Sequence, residues 1–305
     1  MENQTLQTHL GNQPLHNRFD LYKHLGIERT PKPKRPPFPN FDLLTPEETA
    51  KYKELFHDTF SEYFSNLGRK TILLLNKEQK IVYTHPASDN SRYSSKGKQK
   101  RKKEIRRRLA AFPATFGWLI TPTFAAKEGT QECYKHVSQL EAWKQLSKWQ
   151  AGFMDELNKL RFRSGFKKRL NYVKVPETQP GTGNPHNHIM VPGLKVIGDF
   201  RKIQKLWPYG NVDFEYYDQR SPADYLTKYI SKMDGDQFTN EMLYAFKLRM
   251  FSISQNFRFP SIQRKPSGWI FHASGFPTGL EHQVNEFTKL GYIEYGQIST
   301  EPRGP

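Results

Sequence analysis

Between Tyr52 and Leu67 the apolar residues recur at helical spacing. Tyr52, Leu55, Phe56, Phe60, Tyr63, Phe64 and Leu67 share one stripe. Ahead of it, Thr45-Pro46-Glu47-Glu48 offers an N-cap threonine, a proline for the first turn and a capping-box glutamate, and Gly68 marks the stop. Two short apolar runs follow, Thr71–Leu75 and Ile81–Thr84, split by polar Asn76–Gln79, a hairpin pattern. From Phe116 the rhythm changes. Gly117–Phe124 reads as a strand, Gln131 to Leu160 as a helix carrying Leu140, Trp143, Leu146, Trp149, Phe153 and Leu157, and Leu170–Val175, Asn187–Val191 and Gly210–Tyr217 as strands. A short helix is predicted from Pro222 to Met233. A further helix near 238–248 and a strand over Arg249–Ser254 lie in a C-terminal stretch of mixed signals that otherwise reads as loops.

Strands interleaved with helices predict an α+β fold: a central antiparallel sheet of about five strands flanked by helices, with an N-terminal extension. The patterning divides the chain into an irregular Pro/Lys-rich arm over 1–44, a helix-hairpin extension over 45–108 that ends in a basic run, a main domain over 109–235 and a C-terminal extension over 236–305.

Charge narrows the partner. The 305 residues carry a formal net charge of +17, which favours a polyanion, nucleic acid first and an anionic membrane surface second. No apolar run is long enough to span a bilayer, the first 17 residues lack the apolar centre of a signal peptide, and the single cysteine, Cys133, rules out an intramolecular disulfide or a Cys-rich zinc module. These features fit a reducing cytoplasm. Nine of the thirteen residues from Lys96 to Arg108 are Lys or Arg. Lys100, Arg101, Lys102, Lys103, Arg106, Arg107 and Arg108 are candidates for an arm that tracks phosphates; the plainer reading is a solvated linker. The tryptophans could stack on bases, but most read as core.

Two constellations carry chemistry. In Pro185-His186-Asn187-His188-Ile189-Met190-Val191, residues two apart on a strand face the same way, so His186 and His188 present paired imidazoles. Glu177 closes the strand before the turn Gln179–Asn184 and is placed to join them, with Gln179 as the alternative third ligand. Two histidines and a carboxylate suit Mg²⁺ or Mn²⁺ acting on a phosphate oxygen. A bare His-x-His also occurs as two hydrogen-bonded histidines, or on strands of other metal folds such as cupins. In Ser221-Pro222-Ala223-Asp224-Tyr225-Leu226-Thr227-Lys228-Tyr229-Ile230-Ser231-Lys232, a capped helix places Tyr225 and Tyr229 one turn apart. Each has a lysine three residues on, Lys228 and Lys232, and nearby cations favour a phenolate. An ordinary amphipathic helix with packing tyrosines explains the same pattern.

In combination and in this order, Ile120-Thr121-Pro122-Thr123-Phe124, the His-x-His strand and Tyr225-Leu226-Thr227-Lys228-Tyr229 resemble the motifs of HUH endonucleases, specifically rolling-circle replication initiators of the two-tyrosine type. The Leu206–Val212 stretch is similar to that branch as well. Asn187 departs from the bulky apolar residue usual between the histidines, and the Glu177–His186 connection is longer than usual. The resemblance implies a ferredoxin-like or RRM-like nuclease domain with its histidines on a central strand. It implies a metal site of His186, His188 and Glu177, and catalytic Tyr229, Tyr225, Lys228 and Lys232, with Tyr229 the first nucleophile because Lys232 shares its face. The implied reaction nicks single-stranded DNA at an origin, leaving a 5′-phosphotyrosine and a 3′-hydroxyl, and later religates it. With no G-x-x-x-x-G-K-[ST] motif in the chain, host helicase and polymerase would be partners. A single-strand transposase of the same chemistry and a non-enzymatic basic nucleic-acid-binding protein are the alternatives.

Overall fold

The computed structural model of the chain describes residues 37–110, 114–125, 135–218, 222–232, 236–254, 269–275 and 277–295. Residues 1–36, most of the Pro/Lys-rich arm, lie outside them.

Helix α1 (Pro46–Gly68) starts as its sequence dictates. Thr45 and Glu48 close a reciprocal capping box and Pro46 occupies the first turn. Its apolar stripe meets aromatic rings from elsewhere in the chain. Phe56 packs edge-on to Phe41 and Phe246, and Phe60 to Tyr93 and Tyr244. Strands β1 (Thr71–Asn76) and β2 (Ile81–Pro86) form the expected hairpin, with Thr71 opposite Pro86 and Asn76 opposite Ile81. The C-terminal extension completes this sheet. Strand β8 (Trp269–Gly275) pairs antiparallel with β1 and β9 (Ile293–Tyr295) parallel with β2, so the order is β8-β1-β2-β9. Helix α7 (Pro277–Lys289) covers it, seating Val284 on Leu73, Leu75 and Val82. These elements replace the loops expected from patterning. The strand at 269–275 pairs with residues some two hundred positions earlier, and no local periodicity records that pairing.

The basic run is helix α2 (Ser95–Ala110), not an arm or a linker. Ile105 and Leu109, one turn apart, are both buried, and that single apolar stripe suffices to dock a helix that is cationic on its other faces. Its start is sterically committed: a Cβ on Gly97 would fall 1.7 Å from the Ser91 carbonyl oxygen, so only glycine admits this approach.

The second sheet holds five strands, β3 (Gly117–Pro122), β4 (Val173–Thr178), β5 (Pro185–Pro192), β6 (Val212–Tyr217) and β7 (Ser252–Ile253), in the order β6-β3-β5-β4-β7. Every neighbouring pair is antiparallel. Helix α3 (Gln139–Arg163) connects β3 to β4, the short α4 (Phe200–Gln204) precedes β6, and α5 (Pro222–Lys232) and α6 (Gln237–Ala245) follow it. The first four strands and two connecting helices form the split βαβ pattern of ferredoxin-like folds, with β5 inserted between β3 and β4. This is the antiparallel five-stranded α+β architecture the patterning predicted.

Helix α3 begins later than expected. Residues 131–134 lie outside the described ones, residues 135–138 are not helical, and Ser138 caps the helix at Glu141. Trp143, Leu140, Leu146 and Leu157 are fully buried. Beneath α3 the sheet carries polar groups: Asn187 hydrogen-bonds Gln150 of α3, and the Lys174 ammonium lies 3.3 Å from the same Gln150 oxygen. Burial pulls Lys174 down to about 8.

Candidate metal centre and tyrosine helix

The centre is built on the sheet face that α3 leaves free. Alternation along β5 puts His186 and His188 on that face and sends Asn187 to the other. Glu177 joins them because β4 and β5 pair in register, Glu177 directly opposite His186. The long connection makes this possible by folding back on itself. Gln179 N–H donates to Asn184 O at 2.7 Å, Gly183 N–H to Gln179 O at 3.0 Å, and Gly181 and Gly183 take φ of 80° and 70°, open to glycine.

Three ligand atoms converge. Nε2 of His188 lies 2.7 Å from Glu177 Oε2, Nε2 of His186 lies 3.4 Å from the same oxygen, and the two Nε2 atoms are 3.1 Å apart. All three residues are buried. Ligands about 2.1 Å from one ion sit about 3 Å from each other in neighbouring positions, so the spacing and the donor set fit a divalent cation. The group can hold a metal ion. The outer ring nitrogen of His188 is steered by Thr121 of β3, whose Oγ1 lies 3.3 Å from Nδ1. That interaction keeps the inner nitrogen directed at the cluster. Nδ1 of His186 is buried and has no hydrogen-bond partner among the described residues.

Charge around Glu177 is asymmetric. Burial pushes its carboxyl up, but hydrogen bonds from His186, His188 and Lys232 outweigh burial and hold it well below the usual carboxylate range. Lys232 of α5 reaches Oε1 at 3.0 Å, leaving Oε2 to the histidines. Burial lowers His188, partly opposed by its bond to Glu177.

Helix α5 crosses this face and delivers the tyrosines. The Tyr229 ring stacks on His188 with centroids 3.6 Å apart, while Tyr225, one turn earlier, is farther from the cluster. The hydroxyls are chained: Tyr229 donates to Tyr225 at 3.2 Å, and Tyr225 to Glu215 Oε2 of β6 at 2.6 Å. Leu226 is buried beneath them; the cap residue Ser221 and Met233 lie outside the described residues. The expectation that neighbouring lysines bias these phenols toward phenolate does not hold in this geometry. Burial raises Tyr229 despite its bond to Tyr225 and the nearby Lys232, and burial plus the bonds to Glu215 and Tyr229 raise Tyr225. Lys232 does lie beside Tyr229, 5.1 Å from the ring centroid, whereas Lys228 is exposed and pairs with no acid among the described residues.

A cavity of about 350 Å³ opens over the cluster, lined by Thr121, Thr123, Gln179, His186, His188, Asp213, Glu215 and Tyr229 among others. Gln179, the alternative ligand, faces this cavity while Glu177 takes the position between the histidines. Asp213 and Glu215 escaped the sequence reading. The signal was the alternation in Val212-Asp213-Phe214-Glu215, which puts two carboxylates on one face of β6.

Helix α2 packs against α5, so the basic run lies alongside the tyrosine helix. Lys100, Arg101, Lys103, Arg106 and Arg107 are exposed and Lys102 is partly so; Arg101 pairs with Glu104 at 3.0 Å and Arg106 with Asp224 at 3.5 Å. The Arg108 side chain lies outside the described ones.

A ferredoxin-like sheet with a buried Glu-His-His group on its open face, capped by a helix bearing two linked tyrosines, defines a class: an α+β protein with a candidate divalent-metal centre beside a phenol pair. The stretch that builds it, residues 117–234, matches the family model of the replication-associated protein ORF2. The match supports a replication-associated role, in particular that of a replication initiator. No curated protein and no solved structure matches the chain. No helix among the described residues is long and apolar enough to cross a membrane.

Proposed function

We propose that the chain nicks single-stranded DNA at a replication origin by tyrosine transesterification and reseals it to end rolling-circle replication, as a two-tyrosine HUH endonuclease. The observation that carries this reading is the stacking of Tyr229 on His188 at 3.6 Å, which brings a phenol to a convergent two-histidine, one-carboxylate group. The endonuclease unit is residues 109–235, and the segments 1–44, 45–108 and 236–305 flank it.

His186, His188 and Glu177 would hold Mg²⁺ or Mn²⁺, which supplies Lewis-acid polarisation of the scissile phosphate. Lys232 orients Glu177 through Oε1. Thr121 orients His188. Tyr229 is the first nucleophile: its phenolic oxygen bonds to phosphorus as the bond to the 3′ oxygen breaks, giving a 5′-phosphotyrosine and a free 3′-hydroxyl. Tyr225 performs the next strand transfer. The exposed Lys228 meets a DNA phosphate, and Lys100, Arg101, Lys102, Lys103, Arg106, Arg107 and Arg108 track the backbone beside α5. Because the phosphodiester bond is exchanged rather than hydrolysed, no ATP is needed. Host polymerase extends the 3′-hydroxyl, and host helicase opens the duplex. The replication-associated match over 117–234 favours an initiator over a single-strand transposase.

The test incubates the protein with labelled single-stranded oligonucleotides from its own replicon and Mn²⁺, followed by a denaturing gel. A covalent protein–DNA band that disappears with EDTA and in the Tyr225→Phe/Tyr229→Phe double variant is the expected result. Tight binding without any adduct would instead mark a non-enzymatic DNA-binding protein.

A further inference from the structure

The two tyrosines occupy unlike surroundings. Tyr229 is buried against a histidine of the metal centre, whereas the Tyr225 oxygen sits between two partners, accepting from Tyr229 at 3.2 Å and donating to Glu215 at 2.6 Å. Glu215 belongs to β6, is exposed toward the cavity and lies outside the Glu-His-His group. The β6 register sets its position: Glu215 is opposite Leu119 of β3, on the same sheet face as Thr121.

We propose that Glu215 is the proton acceptor for Tyr225 and assigns it to the second strand transfer. This rests on the nicking reading above and specifies how its two nucleophiles are told apart. A phenol near 10 and a carboxyl near 4.3 differ by about six orders of magnitude in acidity, so the proton does not move in the resting state. It moves as the phosphorus–oxygen bond forms and the phenolic oxygen loses its basicity. The step balances. The Tyr225 Oη–phosphorus bond forms, the bond from phosphorus to the 3′ oxygen breaks, the phenolic proton passes to Glu215 Oε2, and the departing 3′ oxygen takes a proton from water. Glu215 returns to its carboxylate by releasing its proton to solvent.

The hydrogen-bond chain also sets the order. While Tyr229 keeps its hydroxyl hydrogen, it donates to Tyr225 and occupies an electron pair on the oxygen that must attack. Once Tyr229 is esterified to DNA, that donor is gone. Tyr225 is released on one side and still held by its base on the other.

Glu215→Gln separates this role from a structural tie, because the amide oxygen still accepts from Tyr225 but takes no proton. Single-turnover adduct formation is measured with the full chain, Mn²⁺ and origin oligonucleotides. Tyr225 is isolated by Tyr229→Phe, and Tyr229 by Tyr225→Phe. Glu215→Gln is expected to slow the Tyr225 adduct about 100-fold, at least tenfold more than it slows the Tyr229 adduct, and Glu215→Asp to recover most of the rate. A Tyr225 adduct within about threefold of the parent rate, or an equal loss on both tyrosines, overturns the assignment while leaving the nicking reading intact. Absence of any adduct from the unsubstituted protein overturns both.

Discussion

His188 touches three groups of different chemistry: the Glu177 carboxylate at 2.7 Å, the Thr121 hydroxyl at 3.3 Å and the Tyr229 ring at 3.6 Å. Replacing it by alanine removes a ligand and the stacking partner of the nucleophile together. His188→Ala is therefore expected to lower Mn²⁺ affinity by at least 10-fold in titration calorimetry and to abolish the adduct, whereas Thr121→Val, which removes only the orienting hydroxyl, lowers affinity by roughly 10-fold. Lys174 poses the opposite case, a charge kept where it is costly. Its fall from 10.5 to about 8 means that the charged form is disfavoured in the folded protein. The unfolded chain then holds more protons between those values, so stability rises with pH across that window. Lys174→Met removes the buried charge and is expected to stabilise the protein at neutral pH by on the order of 1–3 kcal/mol, read as a rise in the denaturant midpoint. A drop would show that its bond to Gln150 matters more than its desolvation.

At the scale of elements, two helices make the decisive contacts. Helix α2 brings a row of cations to the flank of α5 through just two buried apolar side chains, Ile105 and Leu109. Converting Lys100, Lys103 and Arg107 to alanine leaves that seam intact. The variant should bind single-stranded DNA more weakly, with a salt dependence shallower by roughly 0.7 for each phosphate no longer neutralised; an unchanged slope would place the DNA elsewhere. Helix α1 meets α6 through His57, whose Nδ1 lies 2.8 Å from the buried Glu241 carboxylate. That hydrogen bond raises His57 above its ordinary 6.5. The sign follows from linkage: the contribution is present below the ordinary value and fades as pH climbs through the raised one. Between pH about 6 and about 8, the thermal midpoint of the native protein should fall relative to that of His57→Gln. Parallel curves would mean the pair is not formed. The elements are largely legible in the sequence. Helix α1 announces itself through Thr45, Pro46 and Glu48, and β5 through alternation around Asn187, because caps and strand periodicity are local properties. Apolar patterning alone starts α3 too early, since its boundary is set by the Ser138 cap.

For the molecule as a whole, the two sheets differ in how far apart their strands lie in the chain. The five-stranded sheet uses mostly successive segments, so its plan follows from the order of patterns. The other closes only when β8 and β9 return to the hairpin near the N-terminal end, and α7 then buries Val284 on Leu73, Leu75 and Val82. Val284→Asp puts a charge into that small core and should cost about 3–5 kcal/mol. Hydrogen exchange should show protection lost first over residues 71–86 and later over 117–122; simultaneous loss would mean the two sheets unfold as one unit.

By itself the sequence determined the α+β class, the shared face of His186 and His188, the one-turn spacing of Tyr225 and Tyr229 and the excess of positive charge. All of these depend on residue type and on fixed helical or strand periods. Only the tertiary structure decided that Glu177 stands opposite His186, that Tyr229 rather than Tyr225 lies on the metal centre, that Tyr225 is tied to Glu215, and that the basic run is a helix beside both. Those relations depend on strand register and on how α5 crosses the sheet, which are set by burial between segments far apart in the chain and leave no period in the sequence.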